Sequence, residues 1–131
     1  MMIRGGKPLF FKDRATANYE NSIIALAAAH KPAHPIEGPV GIKLTLVLSR
    51  PQALCRKKDP RGLILAPKRP DWDNLVKGLQ DQLSKLGFWR DDGQITDAKV
   101  EKRYAEIDGA ARIEIEIWEP AHVPELTDTL L

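Results

Sequence analysis

Residues 68–77 read Lys-Arg-Pro-Asp-Trp-Asp-Asn-Leu-Val-Lys, and residues 88–94 read Phe-Trp-Arg-Asp-Asp-Gly-Gln. Between the two, Trp72, Leu75, Val76, Leu79, Leu83 and Leu86 recur on one helical face, so a helix is expected over residues 71–86 with Gly87 as its stop. If the chain arrives extended, Asp71 and Asp73 share a side, because side chains two apart point the same way. The helix then carries Lys77 one turn and Asp81 two turns beyond Asp73, on the polar face opposite the leucines. Asp91 and Asp92 follow at the end of the next loop. Gathered carboxylates repel one another, so a fold that gathers them must supply a cation, and an all-oxygen set selects a hard one such as Mg²⁺ or Mn²⁺. Such an ion can polarise a scissile phosphate and generate hydroxide from its bound water.

Working outward, residues 40–49 alternate, with Val40, Ile42, Leu44, Leu46 and Leu48 on one face of a strand. Residues 96–107 and 111–118 read as two further strands, and Asp108-Gly109 between them suits a type I′ turn, so a hairpin is expected. Ile113, Ile115 and Ile117 should face inward from its second arm. Towards the start, residues 7–11 form a short apolar run that suits a strand. Residues 14–30 carry helical spacing, capped by Asp13 or Thr16 and stopped by Lys31-Pro32 and His34-Pro35. Residues 50–70 hold four prolines and no period, and read as a long connection; residues 119–131, with Pro120 and Pro124, read as a loosely held tail. The architecture expected is a single α+β domain over residues 1–131: a small mixed sheet covered by two helices.

A chain of 131 residues is long enough for one real core. No window holds the roughly 20 apolar residues of a membrane span, no secretory signal opens the chain, and the single cysteine, Cys55, cannot form an internal disulfide; a soluble protein of the reducing cytoplasm is expected. The net charge of +2 hides an uneven distribution. Residues 50–69 hold seven basic side chains (Arg50, Arg56, Lys57, Lys58, Arg61, Lys68, Arg69) against Asp59 alone, while residues 114–131 hold five acids and no lysine or arginine. Such a basic block suits phosphate-backbone contacts and equally suits a solvated loop.

Each candidate also has a plainer reading. Asp71 or Asp73 can be a helix N-cap, Lys77 a solvated partner of Asp73 or Asp81, and Asp91-Asp92-Gly93 a turn. Trp72 and Trp89 are expected in the core rather than as stacking platforms for bases. His30 and His34 have a metal-like gap, but Pro32 interrupts any helix between them and no further ligand is near.

Taken in order, Asp71-Trp72-Asp73-Asn74-Leu75, Lys77, Asp81, Leu83, Gly87, Asp91-Asp92 and Gln94-Ile95 resemble the signature of the RusA family of Holliday junction resolvases, in which an Asp-x-Asp-Asn-Leu-x-Lys helix start precedes Asp-Asp-x-Gln. The resemblance is dense over residues 68–97. It implies a homodimeric endonuclease that cuts four-way DNA symmetrically, with Asp71, Asp73 and Asp92 serving a divalent metal, Mg²⁺ or Mn²⁺, and Lys77 needed for cleavage. Family members usually open with an extra strand, whereas only residues 1–6 precede the apolar run here, so that strand is expected to be short or absent. Their DNA contacts do not transfer to the longer basic connection; charge alone nominates Arg4, Lys7, Lys12, Arg14, Arg56, Lys57, Lys58, Lys68 and Arg69 for the phosphate backbone. Two rival readings are a catalytically silent DNA-binding module and a metal-dependent phosphohydrolase acting on small molecules. Chain geometry adds one expectation. A helix from Asp73 to Leu86 rises about 20 Å, and the six steps back to Asp92 span at most roughly 20–22 Å. Asp92 can just return to its own Asp73 if the loop runs straight back along the helix, with nothing to spare for the turn, whereas antiparallel helices of two subunits would bring the partner's Asp92 without that strain; the spacing leaves both an intrasubunit and a shared site open.

Overall fold

The computed structural model describes residues 9–14 and 19–120. Five strands and two helices follow in the order β1 (Leu9–Arg14), α1 (Tyr19–Ala29), β2 (Val40–Leu48), β3 (Ile64–Leu65), α2 (Trp72–Lys85), β4 (Ile95–Tyr104) and β5 (Arg112–Trp118). The strands form one mixed sheet in the order β1-β5-β2-β4-β3. The α+β class and the two helices are as expected. Among the described residues no helix is long and apolar enough to cross a membrane.

The central strand β2 explains the rest. Ile42, Leu44 and Leu46 are essentially inaccessible, and so is Val47 on the opposite face. A strand this apolar needs a neighbour on each edge. On one side β5 runs antiparallel, Leu44 opposite Ile115. On the other β4 runs parallel, Leu44 opposite Val100, because α2 carries the chain back to the starting end before β4 begins. The expected β4–β5 hairpin is therefore wrong: β2 lies between its two arms. Pairing with β2 on both sides outcompetes the local turn preference of Asp108-Gly109, and Gly109 does not adopt positive φ. Residues 105–111 instead cross the end of β2, held by Ala105 N–H on Leu48 O (2.8 Å) and Ile107 N–H on Arg61 O (3.0 Å). Arg112 closes the crossing, donating to both carboxylate oxygens of Glu106 at 2.9 and 3.1 Å.

One sheet face is apolar. Ile42, Leu44, Leu46, Ile113, Ile115 and Ile117 pack beneath Ile23, Leu26 and Ala27 of α1 and Leu75, Leu79 and Leu83 of α2, with Phe88 and Trp89 closing the end. The other face carries Lys43, Thr45, Glu101, Glu114 and Glu116, and there the Trp118 indole lies so close over Gly41 that no side chain larger than hydrogen fits.

Near the start, Arg14 ends β1 rather than opening the first helix, and Asp13 lies in that strand and not at a helix cap. The expected cap Thr16, the opening segment of residues 1–8 with Arg4 and Lys7, and residues 121–131 lie outside the described residues. The connection over residues 50–70 is more ordered than its composition suggests. The Arg50 guanidinium donates to the carbonyls of Ala105 (2.9 Å), Leu54 (3.1 Å), Pro60 (2.7 Å) and Gly62, so this arginine organises the loop and is not available to DNA. Five donors in a rigid fork make arginine suited to knitting such a loop.

Candidate active site

Helix α2 begins at Trp72, with Asp71 as its N-cap residue in extended conformation. The Asp71 side chain makes no capping hydrogen bond; the cap position is filled by its backbone, whose carbonyl accepts from Leu75 N–H at 3.2 Å. Asp71 and Asp73 are both exposed, as is Lys77 one turn further along. Two uncapped carboxylates thus flank the first helical residue, at a helix end whose dipole favours negative charge. The segment leading in is anchored by Lys102, whose ammonium donates to the carbonyls of Lys68 (2.7 Å) and Pro70 (3.0 Å). Lys102 drew no notice in the sequence, because a lysine in a strand is indistinguishable from a solvated one until its partners are known.

Asp92 is half-buried where a short 3-10 turn, Asp92–Gln94, leads into β4. Trp89, itself 1% exposed, donates its indole N–H to Asp92 Oδ1 at 3.0 Å. That bond is the main reason the Asp92 carboxyl lies below the usual aspartate range; burial opposes it, and hydrogen bonds from Gln80 and Ser84 of α2 add to it. The return loop runs only part of the way back along the helix. It stops at Gln80 and Ser84, seven and eleven residues past Asp73, or roughly 10 and 16 Å along the axis at 1.5 Å per residue. Within one chain Asp71 and Asp73 stand together and Asp92 stands apart. Among the described residues no three His, Cys, Asp or Glu side chains are close enough to hold a metal ion.

Gln94 fixes the loop that presents Asp92. Its amide nitrogen donates to Ile36 O (2.8 Å) and Gly38 O (2.9 Å), and its carbonyl accepts from the backbone N–H groups of Arg90 and Asp91, both at 2.8 Å. Arg90 in turn meets Glu37 at 2.9 Å. The Gln of the Asp-Asp-x-Gln pattern is accordingly a tie between loops, and Asp91 is an exposed neighbour.

The two tryptophans part company. Trp89 is core, as expected, but Trp72 is 61% exposed, a correction to the sequence reading. Its position in the first turn carries it past the end of the apolar face that buries Leu75, Leu79 and Leu83. With Leu65, Pro67, Val100 and Lys102 it lines a cleft of about 490 Å³ beside the outer edge of β4.

Of the basic candidates, Lys57, Lys58, Lys68 and Arg69 are exposed, the last two directly before Asp71. Lys12 is exposed on β1 and Arg14 ends that strand. Arg56 is committed to Asp59 at 3.1 Å. His30 Nδ1 bonds Leu26 O at 3.0 Å, within its own helix.

The RusA endodeoxyribonuclease family model matches residues 2–118. The chain is similar to the crossover junction endodeoxyribonuclease rusA of Lactococcus phage r1t, 39% identical over 114 residues that cover 87% of this chain and 80% of that protein. It is also 35% identical over 123 residues to the uncharacterized protein YqaN of Bacillus subtilis (strain 168), covering 89% of this chain and 83% of that one. A shorter stretch of 52 residues, 40% of this chain and 42% of the other, is 42% identical to the crossover junction endodeoxyribonuclease RusA of Escherichia coli (strain K12). A match along nearly the whole chain, together with an α2 start bearing Asp71 and Asp73 and a loop bearing Asp92, leads to one conclusion: the chain belongs to the RusA endodeoxyribonuclease family.

Proposed function

We propose that this protein is a homodimeric, Mg²⁺-dependent endonuclease that resolves four-way DNA junctions by symmetric phosphodiester hydrolysis, serving DNA recombination and repair in the cytoplasm. The observation that carries the reading is the divided acidic set: Asp71 and Asp73, exposed and uncapped at the start of α2, and Asp92 held ready by Trp89 but farther along the same helix. Three carboxylates drawn from two subunits give an all-oxygen donor set that fits a hard divalent cation, with Mn²⁺ as a substitute. Bound there, the cation supplies Lewis acidity at the scissile phosphate and a water of lowered pKa.

The remaining roles belong to the chain's own groups. Lys77, on the same side of α2 as Asp73, stabilises charge on the phosphate or orients the attacking water. Lys68 and Arg69, immediately before the carboxylates, hold the backbone on either side of the cut. Lys57 and Lys58, with Lys7, Lys12 and Arg14 of the nominated set, extend that contact without reading sequence.

The test pairs a synthetic four-way junction with a linear duplex, in Mg²⁺ or EDTA. Junction-selective cutting only with Mg²⁺ is expected, with Asp71→Asn, Asp73→Asn and Asp92→Asn each silent in cleavage but intact in junction binding. Mixing Asp73→Asn with Asp92→Asn subunits should restore nicking, because one site of each heterodimer regains all three aspartates. A mixture that exchanges subunits yet stays silent rules out the shared site, and near-normal cutting by Asp73→Asn rules out the metal reading altogether.

A further inference from the structure

The segment that follows α1 lies alongside the loop that carries Asp92. Ile36 N–H donates to Phe88 O at 2.8 Å, Ile36 bridges to Trp89, and Gln94 reaches across to the carbonyls of Ile36 and Gly38. These ties gather three cations. Lys85 is exposed in the last turn of α2. Lys31 is exposed just past α1, and its side chain comes within 3.8 Å of where a Cβ on Gly87 would stand. Arg90 is exposed two residues before Asp92. Charge counted along the chain overlooks all three, because positions 31, 85 and 90 form no run and meet only in the fold.

Arg90 is the most specific of them. Its Nε and Nη2 both donate to Glu37 Oε1, at 3.1 and 2.9 Å, which is the two-donor edge that suits a carboxylate or a phosphate. The backbone beneath is fixed, with Arg90 N–H on Gln94 Oε1 at 2.8 Å and the preceding Trp89 in the core. The other acids of the loop are turned elsewhere: Trp89 holds Asp92, and the Asp91 carboxylate stands over Gly93. The Arg90–Glu37 pair itself lies open to water, its side chains 65% and 68% exposed, whereas Arg112 in its pair with Glu106 is 21% exposed. An ion pair so exposed contributes little to stability, so a phosphate can take the place of Glu37 at little cost to the fold.

We propose that Arg90, with Lys31 and Lys85, forms a second phosphate-binding surface on the Asp92 side of the molecule, and that Glu37 occupies the Arg90 edge until a DNA phosphate displaces it. The inference rests on the DNA-cleaving reading above and adds where the cut strand lies. Asp92 serves a metal only where that metal meets the scissile phosphate, so the strand must pass this loop. Two steps of chain span at most about 7 Å, and phosphates recur about every 3.4 Å of axis along each strand. Arg90 therefore faces phosphates that flank the cut, and Lys31 and Lys85 meet the backbone farther out. Lys68 and Arg69 stand at the other end of α2, which is 14 residues and roughly 21 Å long, so the DNA is gripped at both ends of the helix. Lys31 and Lys85 also suit the negative end of the helix dipole, which makes Arg90 the decisive residue.

The test is fluorescence polarisation of a labelled synthetic four-way junction with the full-length protein, in EDTA and over a series of salt concentrations, so that binding is read without cleavage. Arg90→Gln should weaken binding roughly fivefold and flatten the slope of log K against log salt by about 0.9, the loss of one phosphate contact. Lys31→Gln with Lys85→Gln should flatten it further. Glu37→Gln should tighten binding, and that gain should vanish in the Arg90→Gln background, because the carboxylate acts by occupying Arg90. An equal gain in both backgrounds overturns the displacement, since it marks plain repulsion between Glu37 and DNA. Arg90→Gln with the wild-type affinity and slope overturns the surface, and if the wild type still cuts junctions with Mg²⁺ the nuclease reading stands without it. A wild-type protein that binds no junction overturns both.

Discussion

Trp89 shows how much one buried polar atom can settle. An indole in the core needs an acceptor for its N–H, and the partner it finds three residues on is a carboxylate of the candidate site. Trp89→Phe keeps an aromatic ring in the core but removes part of the ring system together with the donor, and hydrogen bonds to charged groups contribute about 1.5–3 kcal/mol. The variant should fold, lose a few degrees of Tm, and need several-fold more Mg²⁺ for half-maximal cutting while binding junctions normally. A metal titration beside a gel shift checks this; unchanged Mg²⁺ demand would remove Trp89 from the site. Sequence spacing placed Asp71, Asp73, Lys77 and Asp92 in one motif, but it could not tell the two tryptophans apart. Both sit on apolar periodicities, and what separates them is where the helix starts relative to the sheet, a tertiary fact.

At the scale of elements, α2 was readable to within a residue at each end because its leucines, its aspartate start and Gly87, at φ 85°, all agree. The strands were readable as strands and misread as neighbours. Local turn chemistry favours a hairpin at Asp108-Gly109, and nothing local reveals that β2 needs a partner on both edges. The crossing that replaces the hairpin depends on the Glu106–Arg112 pair. The Arg112 guanidinium holds the Glu106 carboxyl below the usual glutamate range, and Glu106 and Glu114 together push Arg112 upward. A depressed carboxyl pKa stabilises the fold above the unfolded value of about 4.3, and the contribution fades as pH falls through the folded value. Arg112→Ala should therefore cost stability in urea unfolding at pH 7 and markedly less at pH 3. An equal cost at both pH values would mean that Arg112 acts through packing alone.

For the whole molecule, the limit of sequence reading was where Asp92 comes to rest along α2. Spacing argued that Asp92 could barely reach its own Asp73, and the fold leaves it at Gln80 and Ser84. The basic connection carries a different lesson. Lys57 and Lys58 are exposed at its tip, while the Arg50 side chain grips Leu54 on one side of that tip and Pro60 and Gly62 on the other. Brief trypsin treatment should therefore nick the chain at Lys57 or Lys58 and release nothing. The two fragments should co-elute under native conditions and separate only in denaturant, and replacing the clamp with Arg50→Lys should turn the same nick into rapid digestion. The basic loop is, mechanically, a severable cord tied on both sides of the cut.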